Sequence, residues 1–101
     1  MSWAGIAIER LRKGNPAVIK PRGHSMRPKV CDGDTVTVEP CDTLQLEVGD
    51  IVLVRVKGRD YLHLIKAIDG KRFLIGNNRG GTNGWVGPNG IFGKATVITR
   101  G

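Results

Sequence analysis

The stretch Asp50–Ile68, DIVLVRVKGRDYLHLIKAI, decides the fold class of this chain. Apolar residues dominate its first half, Asp50 to Lys57, which predicts a strand. Gly58 is the residue type expected at a tight turn, and Tyr61 to Ile68 predicts a returning strand. Together the two halves predict a β-hairpin.

The segments on either side of the hairpin predict one short helix and several short strands. Residues 1–14 carry apolar side chains at helical spacing, with Ser2 as the expected cap and a Gly-Asn-Pro stop after them. Residues 76–90 are rich in glycine and asparagine and are expected to form a loop. Further strands are expected at residues 17–20, 35–38, 72–75 and 91–99. This order predicts a mainly β fold, partly closed like a barrel, with one short N-terminal helix, and residues 1–101 suit a single domain.

The net charge of +7 is distributed in three blocks. Residues 1–29 hold seven basic residues and one acid, residues 30–50 hold six acids and no basic residue, and residues 51–101 hold nine basic residues and two acids. The acidic middle can pair with a basic end on a mixed surface, but basic proteins also bind polyanions. A basic nucleic-acid-binding β domain is therefore kept as an alternative, although the five aromatic residues do not interleave with basic ones as in a stacking platform.

The apolar and cysteine content points to a cytoplasmic protein. No stretch of 18 apolar residues is present, so no membrane anchor is expected, and the N-terminus lacks the charge order of a signal peptide. Cys31 and Cys41 lie ten residues apart, and the sequence does not decide whether they pair. We expect free thiols and no zinc site, because neither cysteine belongs to a CxxC pair.

A serine in the segment RGHSMRPKVCDGD, residues 22–34, is the candidate nucleophile. Ser25 follows Gly23, which allows close approach of the backbone, and precedes Pro28, which can fix the turn. A serine hydroxyl needs a base within hydrogen-bond reach and donors for the oxyanion that forms on the substrate. From these local residues alone, an ordinary turn serine is the favoured interpretation.

Three residues are candidates for the base. His24 is adjacent to Ser25, and because neighbouring side chains usually diverge we expect it to be a loop residue. His63 lies in the return strand, and its imidazole titrates near neutrality. Lys66 should face away from His63 by the alternation of a strand, and it would need a strongly lowered pKa to act as a base. His63 is also compatible with a half-buried strand histidine that has no chemical role.

Five short segments occur in an order that is characteristic of a known family. They are Gly23–Pro28 (GHSMRP), Val48–Val52 (VGDIV), Tyr61–Ile65 (YLHLI), Gly76–Arg79 (GNNR), and Gly87 with Ile91–Ala95 (IFGKA). In this order the sequence resembles the catalytic domain of the type I signal peptidases and the related LexA-like self-cleaving peptidases. The resemblance implies that family's partly closed β fold, with a peptidase-like core at residues 22–98 and without a metal or cofactor.

The resemblance also implies roles for single residues. Ser25 is expected to attack a peptide carbonyl, and His63 stands where the family carries its base, as in the endoplasmic-reticulum and archaeal branch. The backbone N–H of Ser25 is the expected oxyanion donor. Gly23 is expected to keep that space clear, and Met26 to pack under the serine and against the substrate groove. The substrate is expected to be a peptide or protein segment that lies extended along a sheet edge.

Two positions depart from the family pattern. Asn77 stands where an aspartate is expected, and Gly84 falls where a second aspartate is expected downstream, so no carboxylate is available to orient His63. Asn77, Asn78 and Arg79 are therefore expected to hold their loop together. The sequence predicts either a serine endopeptidase that uses a Ser–His dyad or a pseudo-peptidase that binds extended peptides without cutting them, and it predicts no oligomeric state.

Overall fold

The computed structural model describes residues 3–23 and 25–101, which form one short helix and an antiparallel sheet. Helix α1 spans Gly5–Arg12. The strands are β1 (Ala17–Ile19), β2 (Thr35–Glu39), β3 (Ile51–Val56), β4 (Arg59–Asp69), β5 (Arg72–Gly76), β6 (Thr82–Val86) and β7 (Ile91–Thr99), and short 3-10 turns lie at Thr43–Gln45 and Pro88–Gly90. Within the described part of the chain, seven strands form one sheet in the order β1-β2-β7-β3-β4-β5-β6.

The central hairpin forms as the sequence predicts. β3 and β4 pair antiparallel from Val56↔Arg59 at the turn to Ile51↔Leu64. Lys57 and Gly58 connect them with φ values of 51° and 81°, and positive φ at both positions is what the tightest hairpin turns require. The hairpin sits in the middle of the sheet, so it positions the strands on both sides.

The alternation of side chains along β4 divides the core between the two faces of the sheet. Leu62 and Leu64 pack in one cluster with the buried side of α1, whereas Ile65 packs in a second cluster with Phe73 and Ile75. Both clusters consist of apolar side chains, whose burial is the main favourable contribution to folding. His63 stands in β4 between Leu62 and Leu64 of the first cluster and Ile65 of the second, and it is buried as well.

The far end of the sheet curls back towards its centre. A Cβ atom on Gly84 of β6 would lie 3.5 Å from Val56 Cγ1 of β3, so the two strands approach without pairing. Gly84 has a φ of 135°, which residues with a side chain rarely adopt. The sheet is therefore curved but not closed, and the predicted mainly β class with one short helix is confirmed.

One local prediction is wrong, and one falls outside the described residues. Residues 76–90 are not all loop, because Thr82–Val86 forms β6; its asparagine and glycine are poor strand formers, and the pairing with β5 supplies a regularity that the local sequence lacks. The helix begins at Gly5 after Ala4, without a side-chain cap, and the expected cap Ser2 lies outside the described residues.

At eight residues α1 is far too short to cross a membrane, and residues 3–23 and 25–101 contain no helix that is long and apolar enough to do so.

Candidate active site

Ser25 lies in a loop of residues 20–34, here called the serine loop, which connects β1 to β2. The segment after β5 holds this loop in place. The backbone N–H of Asn78 donates to the carbonyl oxygen of Ser25 at 2.8 Å, and Asn78 Nδ2 donates to the carbonyl oxygen of Arg27 at 2.7 Å. Two bonds from one asparagine therefore fix the backbone on both sides of Met26.

The structure brings Ser25 and His63 together although they are 38 residues apart in the chain. Ser25 Oγ lies 3.3 Å from His63 Nε2, and His63 Nδ1 lies 2.7 Å from Asn83 Oδ1. An amide oxygen can only accept, so Nδ1 carries the hydrogen and donates it to Asn83. In neutral imidazole Nε2 then holds the free lone pair, and the hydroxyl of Ser25 donates to it.

Asn83 is the residue of this site that the sequence did not indicate. Between β5 and β6 the register passes from Ile75↔Gly84 to Gly76↔Thr82, so Asn83 is the extra residue of a β-bulge. A bulge redirects a side chain away from the regular alternation of the strand. The residue beside the imidazole is thus neither Asn77 nor Gly84, where the family pattern places carboxylates, but the neighbour of Gly84.

The environment of His63 favours the neutral ring. His63 is 8% exposed, and burial lowers its pKa below the ordinary 6.5, whereas the hydrogen bond that Nδ1 donates to Asn83 acts in the opposite direction. Tyr61 stacks on the imidazole with ring centroids 4.8 Å apart. Near pH 7 the Nε2 lone pair that faces Ser25 is therefore available to accept a proton.

The remaining candidate bases take other places. Lys66 is the extra residue of a second bulge, on β4 opposite Ile75 and Leu74, and its Nζ donates to the carbonyl oxygen of Asn77 at 2.8 Å. Its amine thus supports the loop after β5. His24, the neighbour of Ser25, lies outside the described residues.

The loop after β5 is held together from within, as the sequence predicts for Asn77, Asn78 and Arg79. Asn77 Oδ1 accepts hydrogen bonds from the backbone N–H groups of Arg79, at 2.8 Å, and Gly81, at 2.9 Å. At Gly76, a Cβ atom would overlap the carbonyl oxygen of Gly81, so this position requires glycine. The loop that carries Asn78 to the serine loop is therefore rigid.

A groove of about 480 Å³ opens beside Ser25 and His63. It is bounded by the N-terminal tryptophan, the serine loop and the start of β4. Its lining consists of Trp3, Lys20, Pro21, Arg22, Gly23, Ser25, Met26, Val30, Cys31, Asp60, Tyr61, Leu62 and His63.

The start of β4 has one strand partner where the rest of the strand has two. β3 pairs with Arg59–Leu64, but β5 pairs with β4 only from Leu64 onward. In the described residues the segment Arg59–His63 therefore has a strand neighbour on one side only, and four of its residues line the groove. A half-paired strand offers backbone groups to an added extended segment.

Gly23 and Met26 both line the groove beside Ser25. Met26 is 5% exposed and packs in the cluster below α1, so it lies in the core and against the groove at once. Gly23 has a φ of 99°, and a Cβ atom there would meet nothing within 4 Å. The positive φ favours glycine at this position, and its expected part in keeping the oxyanion space clear stays a prediction.

The end of the chain closes the serine loop from the other side. Asp34 is 3% exposed and accepts hydrogen bonds from the backbone of Cys31, at 2.8 Å, and from Arg100 Nη1, at 2.5 Å. The bond from Cys31, followed by the interactions with Gly101 and Arg100, lowers the pKa of Asp34. Arg100 Nη2 also donates to the carbonyl oxygen of Pro28 at 2.9 Å. Arg100, which directly follows β7, thus links that strand to the serine loop.

Both cysteines are free, as expected. Cys31 lines the groove, whereas Cys41 packs beside the second core cluster, where burial raises the pKa of its thiol. Over the described residues no group of three or more metal-ligating side chains lies close enough together to hold a metal ion.

A comparison with known families identifies the family of this chain. The family model described as Peptidase S24-like matches residues 6–88, which include α1, the serine loop and strands β1 to β6. No curated protein matches the chain. Because the match covers most of the chain, and the order of motifs and the fold agree with it, the protein belongs to the Peptidase S24-like family.

Proposed function

We propose that this protein is a serine endopeptidase that cleaves an extended peptide or protein segment with Ser25 as nucleophile and His63 as general base. The observation that carries the proposal is the continuous hydrogen-bonded series from Ser25 Oγ through the imidazole to Asn83 Oδ1, at 3.3 and 2.7 Å. Membership of a peptidase family supports a peptide as substrate. The half-paired start of β4 supports the extended form of that peptide.

The first half of the reaction forms an acyl-enzyme. Ser25 Oγ attacks the peptide carbonyl while its proton passes to His63 Nε2. The carbonyl oxygen becomes an oxyanion, which accepts a hydrogen bond from the backbone N–H of Ser25. His63 then donates the proton from Nε2 to the leaving amine, the C–N bond breaks, and an ester on Ser25 remains.

The second half of the reaction returns the enzyme to its starting state. A water molecule gives a proton to His63 Nε2 as its oxygen attacks the ester carbonyl. The C–O bond to Ser25 breaks, and the proton passes back to Oγ. Throughout, Asn83 accepts the hydrogen of Nδ1 and so keeps the free lone pair on Nε2, facing the serine.

Asn83 performs only part of what an aspartate does in a Ser–His–Asp triad. It fixes the ring orientation and the tautomer, but it brings no negative charge to stabilise the imidazolium that forms during attack. We therefore expect a slow enzyme. This point also keeps a pseudo-peptidase that binds without cutting as the second candidate.

A serine-directed phosphonylating probe tests the proposal. A fluorophosphonate should add one equivalent to the protein, and peptide mapping should place it on Ser25. Ser25→Ala and His63→Ala should both abolish labelling, whereas Lys66→Ala should retain most of it, because Lys66 supports Asn77 and does not contact the serine. Labelling that persists in His63→Ala but disappears in Lys66→Ala would assign the base to the lysine. A protein that binds peptides but is never labelled is a pseudo-peptidase.

A further inference from the structure

The groove carries two positive charges that have no ion-pair partner in the described residues. Lys20 and Arg22 line it from the serine loop, and both side chains are exposed. Both acidic side chains nearby already accept hydrogen bonds from the protein, although only Asp60 is in an ion pair with another described residue. Asp60 in the lining receives two hydrogen bonds from Arg55, at 2.7 and 3.2 Å, and Asp32 at the rim accepts the backbone N–H of Gly23 at 3.2 Å.

The same groove has a large aromatic wall. Trp3 is 52% exposed, although tryptophan is usually well buried in a folded protein. It lines the groove together with Met26 and Val30, which are themselves buried below the surface of the serine loop. The other tryptophan, Trp85, is also partly exposed but has a partner, because Arg72 lies over its ring at 5.2 Å.

From these two features we propose that the groove selects a peptide with acidic side chains next to an apolar one. The acidic side chains would pair with Lys20 and Arg22, and the apolar side chain would pack on Trp3. The peptide would lie extended along the half-paired start of β4, Arg59–His63, where its backbone can bond to the free strand edge. This inference rests on the proposed function only in taking a peptide as the ligand.

Binding to the Ser25→Ala protein tests the selection without any cleavage. Four fluorescein-labelled ten-residue peptides differ in one feature each: acidic with an apolar anchor, basic with the same anchor, neutral with the same anchor, and acidic without an anchor. Anisotropy titration should rank the first peptide tightest, about 5- to 30-fold above the basic one, as expected for two exposed ion pairs. The difference should shrink at high salt, because salt screens exposed charges.

Matched variants separate the groove from the overall charge of the protein. In the Ser25→Ala background, Lys20→Glu with Arg22→Glu should reverse the order of the acidic and basic peptides. Lys13→Glu with Lys71→Glu changes the net charge equally at two exposed positions outside the groove lining and should leave the order unchanged. Trp3→Ala should weaken all three anchored peptides, whereas Trp85→Ala should not.

Several results would overturn the inference. The acidic and basic peptides could bind equally well, or the anchored acidic peptide could show no saturable binding. The order of the acidic and basic peptides could change in the Lys13→Glu, Lys71→Glu control. A single-stranded oligonucleotide of equal charge could bind more tightly than the peptide. The proposed function fails separately, because it depends on labelling of Ser25. Labelling without charge selection removes the inference alone, and charge selection without labelling removes the catalytic proposal alone.

Discussion

Asn83→Asp is the substitution that most directly tests how His63 works. In the native chain the imidazole has a neutral oxygen at 2.7 Å, so the tautomer is fixed but the developing positive charge has no counterion there. An aspartate at the same position keeps the acceptor and adds a negative charge. The change therefore isolates the electrostatic part of the mechanism.

The size of the effect follows from this distance. A carboxylate that accepts the Nδ1 hydrogen places the two charges about 4 Å apart, which corresponds to an attraction of about 4 kcal/mol at an effective dielectric constant of about 20. Desolvation of the new carboxylate offsets part of it. We expect the pKa of His63 in the variant to rise by about one to two units, which is about 1.4 to 2.7 kcal/mol in favour of the imidazolium.

The assay is the second-order rate constant for phosphonylation of Ser25 by the fluorophosphonate, measured across pH in the native protein and in Asn83→Asp. The acid limb of the profile should move to higher pH by about one to two units, and the rate above that limb should rise by about tenfold. Asn83→Ala, which leaves Nδ1 without its acceptor, should lower the rate at every pH. Asn15→Asp adds the same charge on an exposed loop and should change neither feature.

The reasoning is refuted if Asn83→Asp folds normally and its profile coincides with that of the native protein. A fall in rate without movement of the acid limb would show that residue 83 acts only through packing. Thermal denaturation of each variant establishes that the folded state is retained.

Three further outcomes follow from the same contacts. Because burial lowers the pKa of His63, the acid limb of the native phosphonylation profile should lie below pH 6.5, and a limb above that value would contradict a buried base. Because the folded-state pKa of Asp34 is lowered, its ionised carboxylate stabilises the fold above pH 3.8, and this contribution is lost as the pH falls below 3.8. The melting temperature of Asp34→Asn should therefore depend less on pH in that acid range than the melting temperature of the native protein. Gly76→Ala should lower the free energy of unfolding by about 1–3 kcal/mol in a denaturant titration, because its Cβ atom would overlap the carbonyl oxygen of Gly81, and an unchanged midpoint would show that the loop adapts.

The parts of the fold that the sequence predicted depend on local interactions. The hairpin of β3 and β4 combines two apolar runs with a turn glycine, and both signals lie within 19 residues. β7 was also predicted over its full length, Ile91–Thr99, from its own residues. β6 was missed because Asn83 and Gly84 interrupt its strand-forming residues, and its pairing with β5 is not visible in the local sequence.

The contact between Ser25 and His63 could not be derived from local pattern. It depends on the register of β3 with β4 and on the path of the serine loop, and a shift of one residue would turn His63 to the other face of the strand. The order of the five motifs supplied that long-range information. The two bulges, at Lys66 and at Asn83, had no signal in the residues at all, because each arises from the pairing of β5 with a neighbour.

The bulge at Asn83 explains why the motif pattern suggested an unassisted histidine when the structure gives it a partner. When the sequence is matched to the family motif position by position, Gly84 provides no side chain where a carboxylate is expected. In the folded sheet, the extra residue before Gly84 brings an amide oxygen to Nδ1 of His63. Because a bulge can move the orienting group by one position, the absence of an aspartate at residue 84 is weak evidence against catalysis. The response to a negative charge at residue 83 separates the two candidate functions: Asn83→Asp should convert a slow peptidase into a faster enzyme, whereas a pseudo-peptidase should stay inactive.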